Sequence, residues 1–68
     1  MANGYSRYYY QGPVCENGKL VMASWYDETV AKTQAKAISN MVYHFKKGYN
    51  KPLNTKIVID PKYIEQEA

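Results

Sequence analysis

The chain has 68 residues, with nine Lys+Arg against six Asp+Glu, one His and one Cys. A chain of this size makes one domain, residues 1–68, that buries only about 60% of its unfolded surface. One cysteine builds no internal disulfide, one Cys and one His fall short of the roughly four ligands of a closed zinc site, and the longest apolar run, Leu20-Val21-Met22-Ala23, is far too short for a bilayer. No cofactor, metal or membrane insertion is therefore expected. The start Met1-Ala2-Asn3-Gly4 has neither the charge nor the apolar stretch of an export signal, and a lone thiol suits a reducing compartment, so a cytoplasmic chain is expected.

In chain order, the first predicted element is a β-hairpin over residues 5–26. Tyrosine-rich residues 5–14 read as a strand, with Gly12-Pro13 marking an edge or a bulge because Pro13 has no amide hydrogen. Asn17-Gly18 is a type I′ hairpin signal, since both central residues of that turn need positive φ. A two-residue loop there sets Glu16 opposite Lys19, Val14 opposite Val21, Gly12 opposite Ala23 and Tyr10 opposite Trp25. One sheet face then carries Tyr10, Val14, Val21, Ala23 and Trp25, and the other carries Tyr9, Cys15, Leu20, Met22 and Tyr26. Both faces are apolar, and one helix covers only one of them.

The next predicted element is a helix over residues 28–47, capped by Asp27 or Thr29. Ala31, Ala35, Ile38, Val42 and Phe45 form a buried stripe with Met41 beside it, and Gly48 takes the left-handed cap. Its opposite face carries Lys32, Lys36, Asn40, Tyr43 and Lys47, with Lys46 at the edge. Pro52 stops helical continuation, residues 55–60 read as a third strand ended by Pro61, and residues 62–68 form an acidic tail that frays or makes a turn of helix. The expected fold class is α+β, in the order β-β-α-β: a small antiparallel sheet packed on one amphipathic helix. A homodimer is one way to cover the second apolar face.

Charge is unevenly placed. Residues 29–59 contain no acid, yet hold Lys32, Lys36, Lys46, Lys47, Lys51 and Lys56. Such a block creates a positive potential that attracts anions, although a lysine-rich surface kept for solubility has the same composition. Tyrosine is the second anomaly: of eight, Tyr5, Tyr8, Tyr9 and Tyr10 crowd the first ten positions. Three adjacent strand residues cannot share one face, so at least one of Tyr8, Tyr9 and Tyr10 points outward, where a stiff aromatic with a polar tip suits stacking or an interface.

Two arrangements of residues are candidates for catalysis. Cys15 and His44 would need mutual contact and a third group to orient the imidazole, and nothing in their spacing supplies either. Asp60-Pro61-Lys62 has the acid-x-Lys half of a metal-dependent nuclease site, but the remaining acids are accounted for by turns and caps. The four glycines are scattered and form no phosphate-binding loop. No catalytic residue is assigned, and a non-enzymatic binding protein is expected.

Tyr10-Gln11-Gly12-Pro13-Val14, the Ala35-Lys36-Ala37 to Asn40 segment with Tyr43-His44-Phe45-Lys46-Lys47, and Asn54-Thr55-Lys56-Ile57 together cover most of the chain. In these pieces it resembles small phage, prophage and conjugative-element proteins of Gram-positive bacteria. That resemblance implies the cytoplasm of a bacterial host cell and a task in DNA handling or counter-defence, and it carries over no functional residues. A looser likeness is to the arm-type DNA-binding modules of phage integrases, in which the helix follows all three strands.

Two functions are expected from these features. The first is nucleic-acid binding, DNA or RNA, with Lys32, Lys36, Lys46, Lys47, Lys51 and Lys56 neutralising phosphates and Tyr8, Tyr9 or Tyr43 stacking. The alternative is an anti-CRISPR-like inhibitor that binds a nucleic-acid-handling host protein through the second sheet face and the exposed tyrosines.

Overall fold

The computed structural model describes residues 4–67. Its elements are strand β1 (Ser6–Glu16), strand β2 (Lys19–Ala31), helix α1 (Gln34–Gly48), strand β3 (Ile57–Ile59), a single 3-10 turn (Pro61–Tyr63) and strand β4 (Ile64–Gln66). An antiparallel four-stranded sheet packs on one helix, which is the expected α+β class. β1 is the central strand. β2 runs along one of its edges, while β3 and β4 share the other, at Val14–Glu16 and Tyr8–Tyr10 respectively.

The hairpin turn forms where the sequence marks it, with Asn17 at φ 52° and Gly18 at φ 85°. Glu16 pairs with Lys19, but the register then shifts twice, so Val14 meets Met22, Gly12 meets Trp25 and Tyr10 meets Asp27. Two β2 residues, 23 and 24, face Pro13 alone, and Val21 is left over between Leu20 and Met22. The bulges turn Met22 toward the helix and leave Val21 and Ala23 exposed. The expected division of β2 between the two faces is corrected accordingly.

The helix begins later than residue 28. Residues 28–31 continue β2, and the cap is Thr33, whose Oγ1 accepts from Lys36 N at 3.1 Å. The residues expected as caps face the helix from the strand instead: Asp27 Oδ2 lies 2.7 Å from His44 Nδ1, and Thr29 Oγ1 accepts from Asn40 Nδ2 at 3.2 Å. At the other end the left-handed residue is Asn50, at φ 59°, while Gly48 stays helical. The buried stripe is correspondingly Ala37, Met41 and Phe45 with Ile38 and Val42 beside it, whereas Ala35 is exposed and Ala31 belongs to β2.

The core lies between this stripe and one sheet face. Tyr8, Tyr10 and Val14 come from β1, Ala31 from β2, and Ile57 and Ile59 from β3. Trp25 meets Phe45 edge-on, with ring centroids 5.1 Å apart. Tyr10 is fully buried, and its hydroxyl is satisfied twice: it donates to the Pro13 carbonyl and accepts from Asp60 N at 3.2 Å. That second bond ties the chain leaving β3 to the centre of β1.

The acidic tail is not helical beyond one 3-10 turn, and it finds pairing partners on the edge of β1. Tyr8, Tyr9 and Tyr10 stand opposite Gln66, Glu65 and Ile64, and Glu67 N donates to Arg7 O at 2.8 Å. Gly12 lies where the edge passes from β3 to β4. A Cβ there would stand 2.7 Å from Tyr63 Cγ, so only glycine lets Tyr63 close against the strand.

The second sheet face is not apolar throughout. Only at its hairpin end do Leu20, Cys15 and Val58 form an apolar row across β2, β1 and β3. Toward the other end it carries Arg7, Tyr9, Gln11, Tyr26 and Glu28. The reason for expecting a second copy shrinks with it.

Candidate functional site

The sites expected from the sequence divide among several places. Lys36, Tyr43 and Lys47 share the outward face of α1, all exposed, with Lys47 Nζ 5.8 Å from the Tyr43 ring centroid. Lys32 joins them at the approach to the helix, where its ammonium stands 5.4 Å from the centroid of Tyr5. Tyr5, Lys32, Thr33, Lys36 and Asn40 line a hollow of about 360 Å³ at that end. Between Lys36 and Lys47 the helix rises about 16 Å, roughly five base-pair steps. Among the described residues, no carboxylate pairs with Lys32, Lys36 or Lys47.

The other expected residues lie apart from this ridge. Lys46 donates to the Leu53 carbonyl at 2.8 Å and braces the loop after the helix. Lys51 is paired with Glu16, Nζ to Oε1 at 2.8 Å, and that oxygen is shut off from water. Lys56 is exposed just before β3, away from the helix face, and its carbonyl accepts from Asn17 N at 2.9 Å. Tyr8 is 4% exposed and belongs to the core, so it is withdrawn as a stacking residue. Tyr9 does point outward, but toward carboxylates.

That outward face holds an arrangement the sequence reading missed. Arg7 Nη1 donates to Glu28 Oε1 at 2.9 Å, and its Nε lies 3.6 Å from Glu67 Oε1. Tyr26 donates to Glu28 Oε2 at 2.8 Å, and Tyr9 donates to Glu67 Oε1 at 2.9 Å. The bond to Glu67 raises the ionisation of Tyr9 above its ordinary range, and the bond to Glu28 does the same for Tyr26, because each carboxylate favours the protonated phenol. Beside this network Tyr9, Gln11, Tyr26, Lys62, Tyr63 and Glu65 line a groove of about 420 Å³ that crosses β1 at Gln11. The signal was the two-residue spacing of Arg7, Tyr9 and Gln11 and of Tyr26, Glu28 and Val30. It becomes readable only when β2 extends past Tyr26.

Cys15 pairs across the sheet with Leu20 and Val58, while His44 sits on α1 beside Asp27, so the two are not brought together. Asp60 caps the 3-10 turn, accepting from Lys62 N at 3.1 Å. Among the described residues, no three His, Cys, Asp or Glu side chains are grouped to hold a metal ion, and no helix is long and apolar enough to cross a membrane. The chain matches no family model, no curated protein and no solved structure.

Proposed function

We propose that this protein is a non-catalytic nucleic-acid-binding module that contacts the phosphate backbone through the outward face of α1. The observation that carries the reading is the row Lys32, Lys36 and Lys47: three exposed cations without carboxylate partners among the described residues, interleaved with Tyr5 and Tyr43. Phosphates release condensed counterions when such cations neutralise them, so binding is strongly salt-dependent and largely indifferent to sequence. Tyr43 offers an exposed aromatic surface between the two helix lysines, suited to a splayed base of a single strand. The phage-type resemblance of the sequence agrees with such a task in a bacterial host cell.

Fluorescence anisotropy with labelled single- and double-stranded DNA and RNA, read at 50 and 200 mM salt, tests the proposal. Three neutralised phosphates give an affinity loss of roughly 20- to 40-fold across that interval. The double variant Lys36→Glu/Lys47→Glu should abolish binding while retaining the circular dichroism of the parent. Unchanged affinity in that variant, or absence of binding at 50 mM salt, would overturn the reading. In that case the protein-directed alternative, an inhibitor of a host nuclease complex, takes its place. The apolar row Leu20, Cys15 and Val58 would then be the anchor to examine first.

A further inference from the structure

The groove on the open sheet face calls for a ligand opposite in sign to a phosphate. Tyr9, Tyr26 and Tyr63 supply rings, Glu65 stands at its wall without an ion-pair partner among the described residues, and Glu28 and Glu67 lie just beyond. Against three carboxylates this face sets Arg7 and Lys62, so it keeps an excess of negative charge. A polyphosphate is repelled here, and an organic cation is attracted.

We infer that the groove of Tyr9, Gln11, Tyr26, Tyr63 and Glu65 binds the arginine side chains of a basic segment on a partner protein. The guanidinium is the cation that suits it best, because its plane stacks on tyrosine while its fork reaches a carboxylate, and a compact ammonium does only part of this. The molecule already contains both contacts. Lys62 Nζ stands 5.5 Å from the centroid of Tyr63, and Arg7 spans Glu28 and Glu67 on the same face. Tyr9 and Tyr26 donate their phenolic protons to carboxylates, and this pushes electron density into their rings and strengthens the attraction for a cation. Gly12 fixes Tyr63 in the wall by leaving space that a Cβ would fill. Lys62 therefore acts as the chain's own competitor for the Tyr63 ring.

The test is an amide-resolved NMR titration of the full chain with acetylated hexa-arginine amide at low salt. Shifts are expected at Tyr9, Gln11, Tyr26, Tyr63 and Glu65. Tyr63→Ala should weaken binding roughly two- to fivefold, the usual value of one exposed cation–aromatic contact. Glu65→Gln, at an exposed position with no structural bond, should weaken it by up to about fivefold without altering the fold. Lys62→Gln should tighten binding more than Lys56→Gln does, although both remove one positive charge. Equal effects of those two substitutions would show mere long-range attraction and overturn the inference, as would shifts confined to other surfaces or no shift at all. Binding of nucleic acid is expected to survive Glu65→Gln, so this inference and the ridge proposal fail independently.

Discussion

The outward face of the helix and the open face of the sheet lie on opposite sides of one small core, and they treat their charges differently. Along the helix ridge, Lys32, Lys36 and Lys47 have no carboxylate partner among the described residues, and Lys32 and Lys47 stand over the rings of Tyr5 and Tyr43. On the sheet, Arg7, Glu28, Glu67, Tyr9 and Tyr26 are joined in a continuous chain of polar contacts. Charges bonded to one another are held in place and leave only a small local excess, here at Glu65, whereas like charges left together keep a wider electrostatic attraction for something else. Net charge alone hides this contrast.

Four substitutions break or sharpen the contrast. Phe45→Ala should have the largest effect, because Phe45 packs on Trp25 and Tyr49 and is 2% exposed. A loss of about 3–5 kcal/mol in urea unfolding is expected. Since the whole core of so small a domain is worth about that much, both surfaces should fail together.

Tyr10→Phe should cost about 1–3 kcal/mol, because the Asp60 amide and the Pro13 carbonyl lose a buried partner. The pH dependence gives this substitution a second reading. Burial raises Tyr10 above its ordinary value of 10.0, so its contribution is complete below about pH 10 and is lost as pH climbs through the folded value. Alkaline unfolding followed at 25 °C should begin later in pH, relative to each protein's own neutral stability, for Tyr10→Phe than for the parent.

Gly12→Ala separates the two faces. Overpacking against Tyr63 should cost about 1–3 kcal/mol and weaken hexa-arginine binding about as much as Tyr63→Ala does, while salt-sensitive nucleic-acid binding continues. Thr33→Ala acts from the opposite side. Loss of the cap on Lys36 N should cost about 1 kcal/mol and fray the first turn of α1. It should weaken nucleic-acid binding measured by anisotropy and leave the sheet groove untouched.

Much of the frame was legible in the sequence because short-range chemistry dictates it. Asn17-Gly18 set the turn, the spacing of Met41, Phe45, Ile38 and Val42 set the helix, and the alternation of Tyr8, Tyr9 and Tyr10 placed one of them outside. The helix start was misread because Asp27 and Thr29 are good capping residues. Only the tertiary contacts with His44 and Asn40 let polar side chains face inward from a strand. The bulges of β2 depend on packing of Met22 and Trp25 against the helix, which no local pattern encodes. β4 was invisible because Ile64-Glu65-Gln66 has little strand character of its own and pairs with an edge that β1 leaves open. Consequently the lysines of the helix ridge were named from sequence, while the network and groove of the sheet face were not.

The measurement that bears most directly on the contrast is an amide-resolved NMR titration of the chain with a single-stranded DNA oligonucleotide at 50 mM salt. The account predicts shifts concentrated at Lys32, Lys36, Tyr43 and Lys47, with Arg7, Glu28 and Glu65 unmoved. Shifts centred on the open sheet face, or a spectrum that does not change, would contradict it.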